Sequence, residues 1–338
     1  MTQDRADLAT GFLQRVGWGR AVRQHLAGDA SDRRYERLHL AGQSAVLMDA
    51  PPGQADDPAA FVLIANHLLN LGLSAPAILA QDLTQGFLLL EDLGDALYAR
   101  VIADDAQMEE PCYLAATRVL TRLQAAAPPP GMANLSAADW AEAAAMALDW
   151  YRRAITGDEG DRAGFVSVLR NTLETLADGP RVLILRDYHA ENLLWLPRRD
   201  GLARVGLLDF QLAQMGQPAY DLVSLLQDAR RDVGRDTINA ARQAFLAETG
   251  QSETDFTAAY AALGAQRALR ILGIFARLCM RDAKPGYLRL VPRVWAQLQE
   301  NLAHPALAAL ARVCEAELPP PSEARLKRME DQCPHLTR

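Results

Sequence analysis

The chain has 338 residues, half of them hydrophobic and 23% charged, the balance of a globular protein that can bury one large core or two lobes. Its formal net charge of -7 argues against a general nucleic-acid surface, and no apolar run approaches the length that spans a bilayer. Cys112, Cys279, Cys314 and Cys333 stand far apart, with neither a CxxC pair nor a disulfide rhythm, which suits a reducing cytoplasm.

The spacing of Leu8, Phe12, Leu13 and Val16 predicts an amphipathic helix over residues 3–15. The pattern turns β-like from Leu26, with a turn at residues 28–31 and paired strands at 34–40 and 45–48 around Ala41-Gly42-Gln43. A helix is predicted over 58–71, and strands over 77–80 and 87–90, the second leading into Glu91-Asp92-Leu93-Gly94. From Ala106 the pattern is mostly helical. One helix covers 109–126 and stops at Pro128-Pro129-Pro130; Ser136 with Asp139 forms a capping box that starts another over 137–155. A break at 157–160 precedes a helix over 162–176. Trp140, Trp150 and Tyr151 read as core, with a pocket wall as the alternative.

Residues 182–213, VLILRDYHAENLLWLPRRDGLARVGLLDFQLA, carry the chemistry. Three apolar runs (182–185, 193–196, 205–208) alternate with a polar loop and a turn, so carboxylates stand where strands end. Phosphoryl transfer to a hydroxyl needs an acceptor for the hydroxyl proton and oxygen ligands for magnesium. Asp187 is the candidate base, and Asn192 and Asp209 are the candidate metal ligands. The Asp-x4-Asn spacing followed by Leu-Leu-Asp-Phe matches a kinase catalytic loop and its metal-binding segment. Capping of a turn by Asp187 and Asn192 is the alternative. His189, between base and ligand, is a candidate for touching substrate or for shaping the loop.

Further along, residues 227–231 (QDARR) are read as continuing the helix that follows Tyr220-Asp221-Leu222. Helices are expected over 256–280 and 287–302, and a polar tail after Pro319-Pro320-Pro321. Arg267 and Arg270 share one helix face and read as solvated, as do Arg230 and Arg231.

LRDYHAENLLW followed by LLDFQLA resembles the aminoglycoside phosphotransferase and choline kinase superfamily. GDASDRRYERL (28–38), VLMDAPP (46–52), GFLLLEDLGD (86–95) and YDLVSLLQDARRDV (220–233) are similar to the bacterial anomeric N-acetylmuramate/N-acetylglucosamine kinases of cell-wall recycling. The resemblance implies an α+β, bilobal, protein-kinase-like fold. Residues 1–93 would form a small N-lobe with an antiparallel sheet, and 94–338 a larger, mainly helical C-lobe.

It also implies roles. ATP and Mg2+ are the expected cofactors. Ser31, Arg33 and Arg34 fall on the hairpin that covers the nucleotide phosphates, though its single glycine does not make a phosphate loop by itself. Backbone groups of Glu91 and Leu93 would meet the adenine edge, and Asp221 would be structural. Arg230, Arg267 and Arg270 are candidates for an anionic group on the acceptor. One departure is plain: Met48 stands where a strand-three lysine is expected, the first lysine of the chain is Lys284, and the following helix lacks the partner glutamate. Arg33 or Arg34 would have to supply the cation.

The expected activity is transfer of the γ-phosphate to a hydroxyl of a small-molecule acceptor, an amino sugar phosphorylated at its anomeric hydroxyl, in the cytoplasm and with no nucleic-acid or membrane partner. Aminoglycoside or choline/ethanolamine kinases are alternatives, and a nucleotide-binding pseudokinase scaffold is another. Nothing in the pattern speaks to oligomeric state.

Overall fold

The computed structural model describes residues 5–26, 33–53 and 57–334. The turn expected at 28–31, and Ser31 with it, lies outside these residues. The chain divides into two compact units, the first built from 1–131 and 185–213 and the second from 132–184 and 214–338.

In the first unit, helix α1 (Arg5–Arg15) precedes an antiparallel sheet of β1 (Val22–Leu26), β2 (Arg34–Leu40), β3 (Gln43–Asp49), β4 (Ile78–Asp82) and β5 (Phe87–Glu91), in the order β1-β2-β3-β5-β4. The β2–β3 hairpin turns through Ala41 and Gly42, both at positive φ, the conformation that matches strand twist in a two-residue loop. Alternation then sorts the side chains. Leu38, Ala45, Leu47, Phe87 and Leu89 pack with Ala9, Phe12 and Leu13 of α1, while Met48, Leu88 and Leu90 are buried from the other face. Helix α2 (Pro58–Asn70) starts at Asp57, whose carboxylate accepts the Ala59 N–H at 2.9 Å, with Pro58 in the first turn. Helices α3 (Tyr98–Asp104) and α4 (Glu109–Gln124) follow.

Four short strands come later: β6 (Val182–Ile184), β7 (Leu193–Trp195), β8 (Val205–Leu207) and β9 (Gln214–Gly216). β7 pairs with β8 in the first unit, and β6 with β9 in the second.

The second unit is otherwise helical: α5 (Ala137–Ala144), α6 (Arg153–Thr156), α7 (Arg162–Leu176), α8 (Tyr220–Leu226), α9 (Arg235–Thr249), α10 (Glu253–Met280), α11 (Val291–Leu302), α12 (Ala308–Glu317) and α13 (Glu323–Asp331). The capping box of Ser136 and Asp139 is formed, and Trp140 and Tyr151 are core while Trp150 is half-buried.

Four expectations need correction here. The helix expected over 137–155 is interrupted by a π-helical segment, Ala147–Arg152, where α10 passes so close that a Cβ on Gly273 would collide with the backbone of Met146. The helix containing Tyr220 ends at Leu226, so 227–231 are not helical. The helix expected from Tyr287 begins as a 3-10 turn, Pro285–Leu290, and becomes α-helical only at Val291. The polar tail forms α13, capped by Ser322 and anchored by buried Met329 and Cys333; Cys333 Sγ donates to the Cys279 carbonyl at 2.9 Å.

Candidate active site

The loop from Leu185 to Asn192 closes on itself through main-chain and amide bonds. Asp187 N–H donates to the Leu185 carbonyl at 3.0 Å and Asn192 N–H to the His189 carbonyl at 2.8 Å. The Asn192 side chain donates through Nδ2 to the Asp187 carbonyl at 2.9 Å and lies 3.4 Å from Nε2 of His189. With its nitrogen so used, the Asn192 amide keeps its oxygen for another partner. Arg186 takes a positive φ of 73°, rare for a residue with a Cβ and typical of loops that present a functional side chain. Two helices hold the loop from outside: the Tyr188 hydroxyl donates to the Ala116 carbonyl of α4 at 2.9 Å, and the Ala99 N–H of α3 donates to the Ala190 carbonyl at 3.1 Å.

Asp209 is brought to this loop by the strand before it. Leu208 N–H donates to the Asn192 carbonyl at 3.0 Å, so the two candidate metal ligands are one hydrogen bond apart along the backbone. Asp209 has φ 55°, and the following Phe210 is buried against Phe61 of α2, ring centroids 4.8 Å apart. That anchor turns the Asp209 carboxylate outward. Its Oδ1 accepts Gln211 Nε2 at 2.8 Å and lies 3.6 Å from Arg33 Nη2.

An asparagine oxygen and a carboxylate left 44% exposed are the hard donors that Mg2+ takes when phosphate oxygens and water complete its shell. Among the described residues no cluster of three or more His, Cys, Asp or Glu could hold a metal ion.

Arg33 and Arg34 diverge. Arg33 donates to the Tyr35 hydroxyl at 3.4 Å and shares the face of Asp209. Arg34 opens onto a cleft on the α1 side of the sheet, with Arg5, Glu36 and Asp49.

At the end of β5, the Glu91 N–H is committed to the Ala77 carbonyl at 2.8 Å. The Glu91 carboxylate pairs with Arg199 at 2.5 Å, and Arg199 also donates to Ser74 Oγ at 2.6 Å. Leu93, two residues on, is half-buried. Arg37 of β2 clasps this turn, 2.9 Å from Asp92 and 2.7 Å from Asp95. The hydrogen bond from Arg37 holds the Asp95 carboxyl below its usual range and raises the guanidinium in return.

The remaining candidates belong to the second unit. Arg267, read from sequence as solvated, is only 8% exposed; it donates to Ser224 Oγ at 2.8 Å and to the Gln227 carbonyl at 3.5 Å. Asp228, 1% exposed, accepts the Arg230 N–H at 2.8 Å. Burial pushes its carboxyl above the usual range, against the pull of Arg267, Arg230 and Arg231. Arg270 is half-buried one turn beyond Arg267, and Asp221 is fully buried in the first turn of α8.

A family model described as "Phosphotransferase enzyme family" matches residues 22–265. Two relatives named N-acetylmuramate/N-acetylglucosamine kinase align along most of the chain. The one from Caulobacter vibrioides is 39% identical over 92% of this chain and 96% of its own; the one from Pseudomonas aeruginosa is 35% identical over 91% and 93%. Among solved structures, a choline/ethanolamine kinase family protein from Mesorhizobium loti superposes with a TM-score of 0.62 at 14% identity, covering 97% of this chain and 100% of that one. This chain belongs to the phosphotransferase enzyme family. Its architecture, an antiparallel sheet followed by a mainly helical remainder, is the protein-kinase-like α+β fold.

Several residues that shape this phosphotransferase's candidate site escaped the reading of the sequence. Tyr188 looked like any loop aromatic, and Arg37 and Arg199 were lost among many arginines. The signal that could have found Arg37 is the alternation of β2, which puts it on the face opposite Glu36 and Leu38.

Proposed function

We propose that this phosphotransferase is an ATP-dependent kinase for N-acetylmuramate and N-acetylglucosamine, with the anomeric hydroxyl as acceptor. The observation that carries the reading is the pair of bonds that lock base and ligands into one frame, Asn192 Nδ2 to the Asp187 carbonyl and Leu208 N–H to the Asn192 carbonyl. Support for the acceptor comes from the two amino-sugar kinase relatives, each aligned over more than nine-tenths of the chain.

In this reading the Asp187 carboxylate accepts a hydrogen bond from the acceptor hydroxyl and takes its proton as the oxygen attacks the γ-phosphorus. The bond from the γ-phosphorus to the β,γ-bridging oxygen breaks, leaving ADP and a sugar 1-phosphate. Asn192 Oδ1 and Asp209 would hold Mg2+, which supplies positive charge to the phosphate oxygens. The turn from Glu91 to Leu93 would receive the adenine edge; since the Glu91 N–H is already spent on Ala77, Leu93 is the residue left to donate. The functional division places the nucleotide-covering part up to Leu93 and the catalytic and acceptor part from Gly94 onward.

No helix among the described residues is long and apolar enough to cross a membrane, and the four cysteines are free thiols. An ATP-dependent enzyme with free thiols belongs in the cytoplasm.

The test is incubation with ATP, Mg2+ and a panel of N-acetylmuramate, N-acetylglucosamine, aminoglycosides and choline, with products read by phosphorus NMR and Asp187→Asn as control. A sugar 1-phosphate from the two amino sugars is expected. Phosphorylation of only aminoglycosides or choline overturns the acceptor assignment.

A further inference from the structure

Kinases of this fold place a cation on the nucleotide's phosphates, ordinarily a lysine of the third strand. Here that strand offers Met48, which is fully buried and paired with Tyr35. No lysine precedes Lys284, so an arginine must take the role if the nucleotide is held in the usual way.

Most arginines around the N-terminal sheet are committed elsewhere. Arg5 is bound to Asp49 at 2.8 Å, Arg15 to Asp82 at 2.7 Å, Arg23 to Glu36 at 3.0 Å and Arg37 to Asp95 at 2.7 Å. Arg34 lies on the α1 side of the sheet, away from the face that Arg33 shares with Tyr35 and Asp209. Consecutive residues at the start of a strand point to opposite faces, so only one of this adjacent pair can serve.

We infer that Arg33 supplies the phosphate-binding cation, its guanidinium replacing from the β1–β2 hairpin the ammonium that strand three lacks. The Arg33 side chain is 4% exposed, and its carboxylate neighbour, Asp209, is 3.6 Å away and itself 44% exposed. A guanidinium taken so far out of water needs a compensating anion. A divalent cation held by Asp209 would carry phosphate oxygens to the side on which Arg33 lies. The planar fork of Arg33 can take two of them at once. The loss of a partner glutamate from α2 follows, because an arginine based on the hairpin does not need the helix to position it.

The inference rests on the proposed kinase reading for its nucleotide but not for its acceptor, so its test is binding. Arg33→Met, Arg33→Gln, Arg33→Lys and Arg34→Met are titrated calorimetrically with ATP plus Mg2+ and with adenosine, after thermal melting without ligand has shown which variants are folded. Arg33→Met and Arg33→Gln are expected to bind ATP about 10-fold to 100-fold more weakly than the native chain, the scale of one lost charge-assisted bidentate contact. Arg33→Lys should fall between, because it keeps charge but not the fork. Arg34→Met should match the native affinity, and adenosine should bind all five proteins alike. Native ATP affinity in a folded Arg33→Gln or Arg33→Met overturns the assignment, as does a loss in Arg34→Met equal to that in the Arg33 variants. Failure of the native chain to bind ATP overturns the kinase reading itself, whereas native ATP binding with the wrong acceptor leaves Arg33 in place.

Discussion

The side-chain nitrogen of Asn192 donates to the main-chain oxygen of Asp187 at 2.9 Å, so the candidate metal ligand also sets the shape of the loop that presents the base. Asn192→Asp separates the two jobs. It keeps an oxygen for a cation but turns an acceptor toward an acceptor, and loss of a buried partner costs about 1–3 kcal/mol. Asn192→Asp is therefore expected to melt lower than the native chain and to lose phosphoryl transfer. Asn192→Ala should lose transfer with a smaller fall in melting temperature. Native-like melting of both variants would show that the amide does not hold the loop.

Among the described residues Asp187 contributes to that frame through its main chain. Its carboxylate is not what the loop hangs from, so Asp187→Asn should fold and melt like the native protein. Phosphoryl transfer should fall by about 100- to 10,000-fold, the range for removing a positioned general base. Native-like ATP affinity with this loss of turnover is the expected signature, read by calorimetry beside a coupled ADP assay. Turnover that survives the substitution removes Asp187 from the reaction.

What could be read from sequence was whatever depends on neighbours in the chain. Helix α7 (Arg162–Leu176) has the expected bounds because Asp161 caps it and its apolar spacing is regular; the β2–β3 hairpin was legible from Ala41-Gly42. The rest depends on distant partners. β1 (Val22–Leu26) is polar and exposed along most of its length, and only pairing with β2 makes it a strand. The π segment answers to Gly273, far away in sequence, and α13 reads as a tail because its buried anchors, Met329 and Cys333, are few and the bonds of Arg328 and Gln332 run to the distant Ile155 and Ala154 carbonyls. The candidate site divides the same way. Asp187, Asn192 and Asp209 stand out by spacing, whereas the choice between Arg33 and Arg34 needs the strand register that puts Tyr35 opposite Met48. Arg267 read as solvated because its partner, Ser224, lies on another helix.

Arg37 gives the turn after β5 a dependence on pH. Its hydrogen bond depresses the folded-state pKa of Asp95, so this contact stabilises fully above the unfolded carboxylate value of about 4 and is lost as pH falls through the folded one. Arg37→Met should lower the melting temperature at neutral pH and make the acid side of the stability profile shallower below about pH 4. Asp95→Asn should flatten the same limb. Because Asp95 is largely exposed, most of the stability lost in Arg37→Met is expected from the more buried Asp92, and Asp92→Asn should cost more than Asp95→Asn.

Asp228 carries the opposite sign. Burial raises its folded-state pKa despite Arg267, Arg230 and Arg231, so the folded state keeps a proton that the unfolded chain has already released. Its contribution to stability is therefore greatest below the unfolded value of about 4 and declines as pH rises through the raised folded value. Asp228→Asn is neutral at every pH and still offers an oxygen to the Arg230 N–H. It should melt above the native protein at pH 7 and show a flatter profile between about pH 4 and pH 7. Asp228→Ala, which strands that N–H, should not share the gain. If Asp228→Asn instead melts lower at pH 7, the attraction of the three arginines exceeds the cost of burial, and Asp228 holds them in place as a charged group.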